Sequence, residues 1–150
     1  MKTYLSYGSN MHVGQMNHRC QDAKIHAAGF LYGYRLDFRR GGFATINPGK
    51  PTDRVPVLIW DITPRDEQAL DRYEGYPKFY IKETVTAETD HGPVEAMVYI
   101  MAPEFDEQEP PTEWYLQTII HGYRDAGLQG QIPNLKKTAM QIYKETRRVR

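Results

Sequence analysis

The 150-residue chain carries 19 basic and 19 acidic side chains, so it has no global field to recruit nucleic acid or an anionic membrane surface. Its 40% hydrophobic content suffices for a full core without disulfides or a metal, and the one cysteine, Cys20, excludes an intrachain disulfide framework. These features predict one soluble domain over 1–150. With no apolar leader after Met1-Lys2-Thr3 and no run long enough to span a bilayer, they also predict a cytoplasmic location. In chain order, the first element is an extended strand, with Tyr4, Ser6 and Gly8 alternating against Leu5, Tyr7 and Ser9. A short helix over 11–18 follows, then extended chain over 25–38 broken by Gly29 and Gly33, then an Arg-Arg-Gly-Gly turn at 39–42. A hydrophobic strand over 55–62 leads into a helix over 63–74, and strands over 80–89 and 94–101 pair across Asp90-His91-Gly92. Two more helices span 112–126 and 134–147, the last with Leu135, Ala139, Ile142 and Tyr143 on one face. Short strands with helices inserted late predict an α+β fold.

Two segments carry chemistry. Tyr4-Leu5-Ser6-Tyr7-Gly8-Ser9-Asn10 runs an aromatic strand into a turn, where Gly8 permits backbone angles that aim successive N–H groups at one point. Ser9 and Asn10 add side-chain donors and acceptors there, although an ordinary Asx or glycine turn has the same residues. The second segment is Leu70-Asp71-Arg72-Tyr73-Glu74-Gly75-Tyr76-Pro77. Its helix begins with Thr63 as N-cap, Pro64 in the first position and Asp66 and Glu67 in the first turn, and it stops at Gly75. Ala69, Leu70 and Tyr73 recur at helical spacing as its apolar face. Glu74 then faces the negative end of the helix dipole, which favours its protonated form and makes it a candidate general base.

Together the two segments resemble the γ-glutamylcyclotransferase, or AIG2-like, family, which shows an aromatic strand ending in Tyr-Gly-Ser-Asn and a later Glu-Gly. The likeness extends through Leu36-Asp37-Phe38, Ala44-Thr45-Ile46, Val57-Leu58-Ile59-Trp60, Tyr80, and Pro110-Pro111-Thr112 with Tyr115 and Gly122. Thr112 stands where the family has serine, and Met11 where it has leucine. The resemblance implies a small closed or nearly closed mixed β-barrel with flanking helices. It also implies that Tyr4, Leu5, Ser6, Tyr7, Gly8, Ser9 and Asn10 line the substrate site with Tyr80 and Tyr115, and that Glu74 is the acid/base residue.

The implied reaction needs no cofactor, metal or protein nucleophile. The α-amino group of a γ-glutamyl amino acid or γ-glutamylamine attacks its own γ-carbonyl, giving 5-oxoproline and a free amine. It requires a base, donors for the developing oxyanion, and walls that hold the substrate curled. Residues 7–10 would serve either the oxyanion or the substrate carboxylate. A non-catalytic ligand-binding or interaction domain that kept the pocket is the alternative. The sequence leaves open the oligomeric state, a homodimer included.

Other chemistries find less support. His12, His18, His26, His91 and His121 lack metal-binding spacing. Gly49-Lys50-Pro51-Thr52 lacks the glycine-rich turn of a phosphate loop, Ser9 is not in a Gly-x-Ser-x-Gly elbow, and Cys20 stands alone. The basic Arg147-to-Arg150 end reads as a solvated helix terminus rather than a nucleic-acid arm.

Overall fold

A computed structural model describes residues 1–149. Seven strands and four α-helices follow one another as β1 (Lys2–Ser6), α1 (Val13–Arg19), β2 (Lys24–Tyr32), β3 (Tyr34–Arg39), β4 (Phe43–Pro48) and β5 (Arg54–Ile62), then α2 (Pro64–Glu74), β6 (Tyr80–Thr89), β7 (Gly92–Met101), α3 (Glu113–Asp125) and α4 (Ile132–Val149). A 3₁₀ turn at Ser9–Met11 links β1 to α1.

Five strands close into a barrel in the order β1-β5-β2-β6-β7, and β3 and β4 form a separate hairpin. The barrel closes where β1 runs parallel to β7, at Tyr4 opposite Met97, while its other pairings are antiparallel. Closure removes the exposed edges, and cover on both faces explains why β5 is buried without interruption from Val55 to Trp60. The same cover buries Tyr4, Leu5 and Ser6 together, so the alternation expected of the first strand does not become an inside and an outside.

Gly29 does not break the chain. It lies within β2, where a Cβ would stand 2.0 Å from the Glu88 carbonyl oxygen of β6, so its small size lets the two strands meet. The break is at Gly33, whose φ of +85° forms the turn into β3.

α2 is delimited as its sequence predicts. Thr63 Oγ1 accepts from the Asp66 N–H at 3.2 Å, Asp66 Oδ2 accepts from the Thr63 N–H at 3.0 Å, and Gly75 closes the helix in the left-handed conformation. Thr112 caps α3 by accepting from the Tyr115 N–H at 3.2 Å. α4 starts two residues before the expected position. Leu135, Ala139 and Ile142 are buried, but Tyr143 is 45% exposed and leaves the expected apolar face. The Arg147-to-Arg150 arm lies partly outside the described residues. Among the described residues, no helix is long and apolar enough to cross a membrane.

Candidate active site

The end of β1, the 3₁₀ turn after it and the last turn of α2 meet at a cleft of about 150 Å³. Its lining includes every site residue expected from sequence: Tyr4, Leu5, Ser6, Tyr7, Gly8, Ser9, Asn10, Glu74, Tyr80 and Tyr115. α3 holds the turn in place through Gly122, where a Cβ would stand 2.7 Å from Met11 and 2.8 Å from the His12 nitrogen. Gly8 packs closely too, with space for a Cβ only 3.3 Å from that of Ala44 and 3.4 Å from the Tyr115 hydroxyl.

These residues differ in what they offer the cleft. Leu5 has no exposed surface and contributes apolar wall. Ser6 Oγ donates to the Leu58 carbonyl at 2.8 Å and accepts from Trp60 Nε1 at 3.2 Å, so its hydroxyl serves the barrel. Tyr7 donates to the Tyr99 carbonyl at 2.7 Å. Tyr80 donates to the Ala44 carbonyl at 2.6 Å, and Tyr115 accepts from the Ala44 N–H at 3.1 Å, so the two tyrosines grip one peptide residue of β4. Ser9 Oγ pairs with the Tyr73 hydroxyl at 3.1 Å. Asn10 donates to the Tyr4 hydroxyl at 2.9 Å and accepts from Arg19. Among the described residues, the N–H groups of Gly8 and Ser9 donate to no backbone or side-chain acceptor.

Glu74 has no hydrogen-bond donor among the described residues. Burial pushes its carboxyl up to about 7, with the Arg19 guanidinium pulling the other way. The direction agrees with the sequence expectation, but burial is the leading cause where that expectation relied on the helix dipole. A carboxylate with that value is half ionised near neutrality and exchanges protons readily in either direction.

Five further cleft residues are Phe43, Ala44, Tyr73, Phe79 and Tyr99, and Arg19 stands just behind them. Tyr73, expected on the apolar face of α2, is instead 45% exposed. It presents its hydroxyl to Ser9 and its ring to Arg19, whose guanidinium lies 3.6 Å from the ring centroid. Its position next to Glu74 was the available signal. Tyr99 and Phe43 come from strands distant in sequence, with no local signal. Tyr99 ties the barrel to α2 by donating to Asp71 Oδ1 at 2.6 Å.

Cys20 is buried, and its thiol is pushed up to about 11 by that burial and by Asp66, so it is a neutral thiol near pH 7. Gly49 to Thr52 form a turn, with Asp53 accepting from the Lys50 N–H at 2.8 Å. Despite their sequence spacing, His12 and His121 meet, together with Asp125. The imidazoles stack face to face at 4.2 Å, and His12 Nδ1 accepts from the Gln15 N–H, so the rings do not converge their lone pairs on one point.

A closed five-strand barrel flanked by four helices is the γ-glutamyl cyclotransferase fold. A family model described as "Gamma-glutamyl cyclotransferase, AIG2-like" matches residues 4–117, and the chain belongs to this family. It is similar to a solved structure named "Gamma-glutamyl cyclotransferase" at 26% identity and TM-score 0.80, covering 90% of this chain and 86% of that one. A structure of an uncharacterized protein from Homo sapiens gives the same identity and coverages with TM-score 0.81. An AIG2-like protein from Mus musculus shares the fold at 21% identity and TM-score 0.59, covering 73% of this chain and 84% of that one. No curated protein sequence matches the chain.

Proposed function

We propose that the chain is a single-domain γ-glutamyl cyclotransferase that converts a γ-glutamyl amino acid or γ-glutamylamine into 5-oxoproline and the free amine. The observation that carries this reading is the unpaired, half-buried Glu74 carboxylate sharing a small cleft with the unpaired N–H groups of Gly8 and Ser9. Glu74 takes a proton from the substrate α-ammonium, and the freed amine attacks the γ-carbonyl carbon. The new C–N bond closes the five-membered ring and places negative charge on the carbonyl oxygen. Gly8 and Ser9 N–H groups stabilise that charge, a role commonly worth about 3 kcal/mol of barrier per donor.

Protonated Glu74 then delivers its proton to the leaving nitrogen, the original amide C–N bond breaks, and the carbonyl re-forms. The ring nitrogen sheds a second proton, so two protons pass in all from the α-nitrogen to the departing amine. The aromatic walls favour the curled conformer that cyclisation requires. No step calls for a cofactor, and the only partner needed is the small-molecule substrate.

The test is 5-oxoproline release from a panel of γ-glutamyl amino acids and γ-glutamylamines by wild type and Glu74→Gln. Turnover that vanishes in a folded Glu74→Gln variant supports the proposal. Unchanged turnover in that variant removes Glu74 from the chemistry, and a wild type silent across the panel refutes the activity.

A further inference from the structure

Six tyrosines line the cleft, and their hydroxyls are not hydrogen-bonded in the same sense. Tyr7, Tyr80 and Tyr99 donate to protein acceptors, so their protons are used. Tyr73 pairs with Ser9. Tyr4 and Tyr115 are reversed: each oxygen accepts an N–H, from Asn10 Nδ2 and from Ala44. Among the described residues, the Tyr4 proton has no protein acceptor.

What fixes Tyr4 in that sense lies outside the cleft. A guanidinium has donors only, so the Asn10 atom facing Arg19 must be the carbonyl oxygen, and the amide NH₂ must then face Tyr4. The opposite amide orientation would set donor against donor at Arg19 and give Tyr4 an acceptor for its proton. Arg19 is held independently of Asn10, by stacking on Tyr73 and by donating to Gln15 Oε1 at 2.9 Å. The sense of the whole chain of bonds is therefore set at Arg19.

We propose that Arg19, acting through Asn10, makes the Tyr4 hydroxyl a hydrogen-bond donor to an oxygen of the substrate. This assignment rests on the cyclotransferase reading and gives Tyr4, already expected to line the substrate site, the role of donor, with Asn10 and Arg19 as positioning residues. Burial, and next the nearby Glu74, hold the Tyr4 phenol well above the ordinary tyrosine value, so the proton stays on the oxygen at working pH.

The discriminating change is Asn10→Asp. The introduced carboxylate is close in shape and keeps the bond to Arg19, but it accepts only, so it would take the Tyr4 proton away from the substrate. On the plateau above the acid limb of the pH profile, Tyr4→Phe and Asn10→Asp are each expected to lower kcat/KM at least about tenfold. Pairing with Arg19 offsets part of the cost of burying the new carboxylate, so Asn10→Asp is expected to remain folded, which circular dichroism checks. The double variant should be no slower than Asn10→Asp alone. A new charge near Glu74 would instead act independently of the phenol, so its effect would multiply with that of Tyr4→Phe.

Wild-type kcat/KM in Asn10→Asp, or multiplicative loss in the double variant, overturns the assignment to Tyr4 while leaving the cyclotransferase reading in place. A parent protein that neither turns over γ-glutamyl amides nor binds them by calorimetry overturns both.

Discussion

Replacing Glu74 by glutamine is expected to stabilise the protein above neutral pH and to leave stability unchanged well below pH 5. The folded protein holds this carboxyl at about 7 against an ordinary 4.5. Below 4.5 it is protonated in both the folded and unfolded chain, and burial costs nothing extra. As pH rises from there towards 7, the unfolded chain ionises and the folded one does not, so stability declines. Above 7 both are ionised and the penalty is complete. At about 1.4 kcal/mol per pH unit the ceiling is ~3 kcal/mol, and partial access of water to the cleft lowers the observed figure.

Glutamine has nearly the same shape, cannot ionise, and gives up no hydrogen bond seen in the structure. For a chain of this size the ceiling corresponds to a rise of ~6–12 °C in melting temperature at alkaline pH. The assay is thermal unfolding followed by circular dichroism for both proteins at intervals from about pH 4 to about pH 8.5. A gap that opens across the window from 4.5 to 7 supports buried titration of Glu74. A gap that is constant with pH refutes it, because a simple packing change carries no proton linkage.

Two further substitutions probe the supports of the site. Gly122→Ala would drive a methyl group against the Met11 and His12 backbone, which has to shift by several tenths of an ångström. It is expected to lower the melting temperature and to reduce 5-oxoproline release through the displaced turn; unchanged kinetics would show that the turn's position is not critical. Asp66→Ala removes the acceptor for the Thr63 N–H at the start of α2 and should cost ~1–2 kcal/mol, or ~2–8 °C in melting temperature. A stability equal to wild type would show that the capping box is redundant.

The sequence made legible what depends on neighbours along the chain. Thr63, Pro64, Asp66 and Gly75 specify the limits of α2 through local hydrogen bonds and backbone angles, and the structure follows them. The family pattern links Tyr4 to Asn10 with Glu74 within the sequence, and one cleft contains them all. Non-local contacts were not legible. Gly29 read as a breaker because nothing nearby in sequence reveals that β6 crosses over it. Tyr73 read as core because helical spacing alone does not distinguish a face turned to a barrel from one turned to a cleft. Arg19 gave no signal, since its importance arises from Asn10 and Tyr73 arriving beside it from two other elements.

Helix α2 shows how one fold gives similar carboxylates different properties. Glu67, Asp71 and Glu74 lie at spacings of four and three, and therefore along one helix face. Burial alone would raise Glu67, but hydrogen bonds and charge from Lys82 and Lys2 outweigh it and hold the carboxyl below its ordinary value. Asp71 receives Lys82 at 2.9 Å and the Tyr99 hydroxyl at 2.6 Å. Among the described residues, Glu74, one turn further, has no such donor, and the cation that acts on it, Arg19, is engaged by Asn10, Gln15 and the Tyr73 ring. The first two carboxylates fasten the helix to the barrel, and that attachment holds the third in a half-buried position where its charge is unfavourable. The proton affinity of Glu74 thus follows from desolvation that no hydrogen-bond donor among the described residues offsets, at a position held by the barrel contacts of its two neighbours.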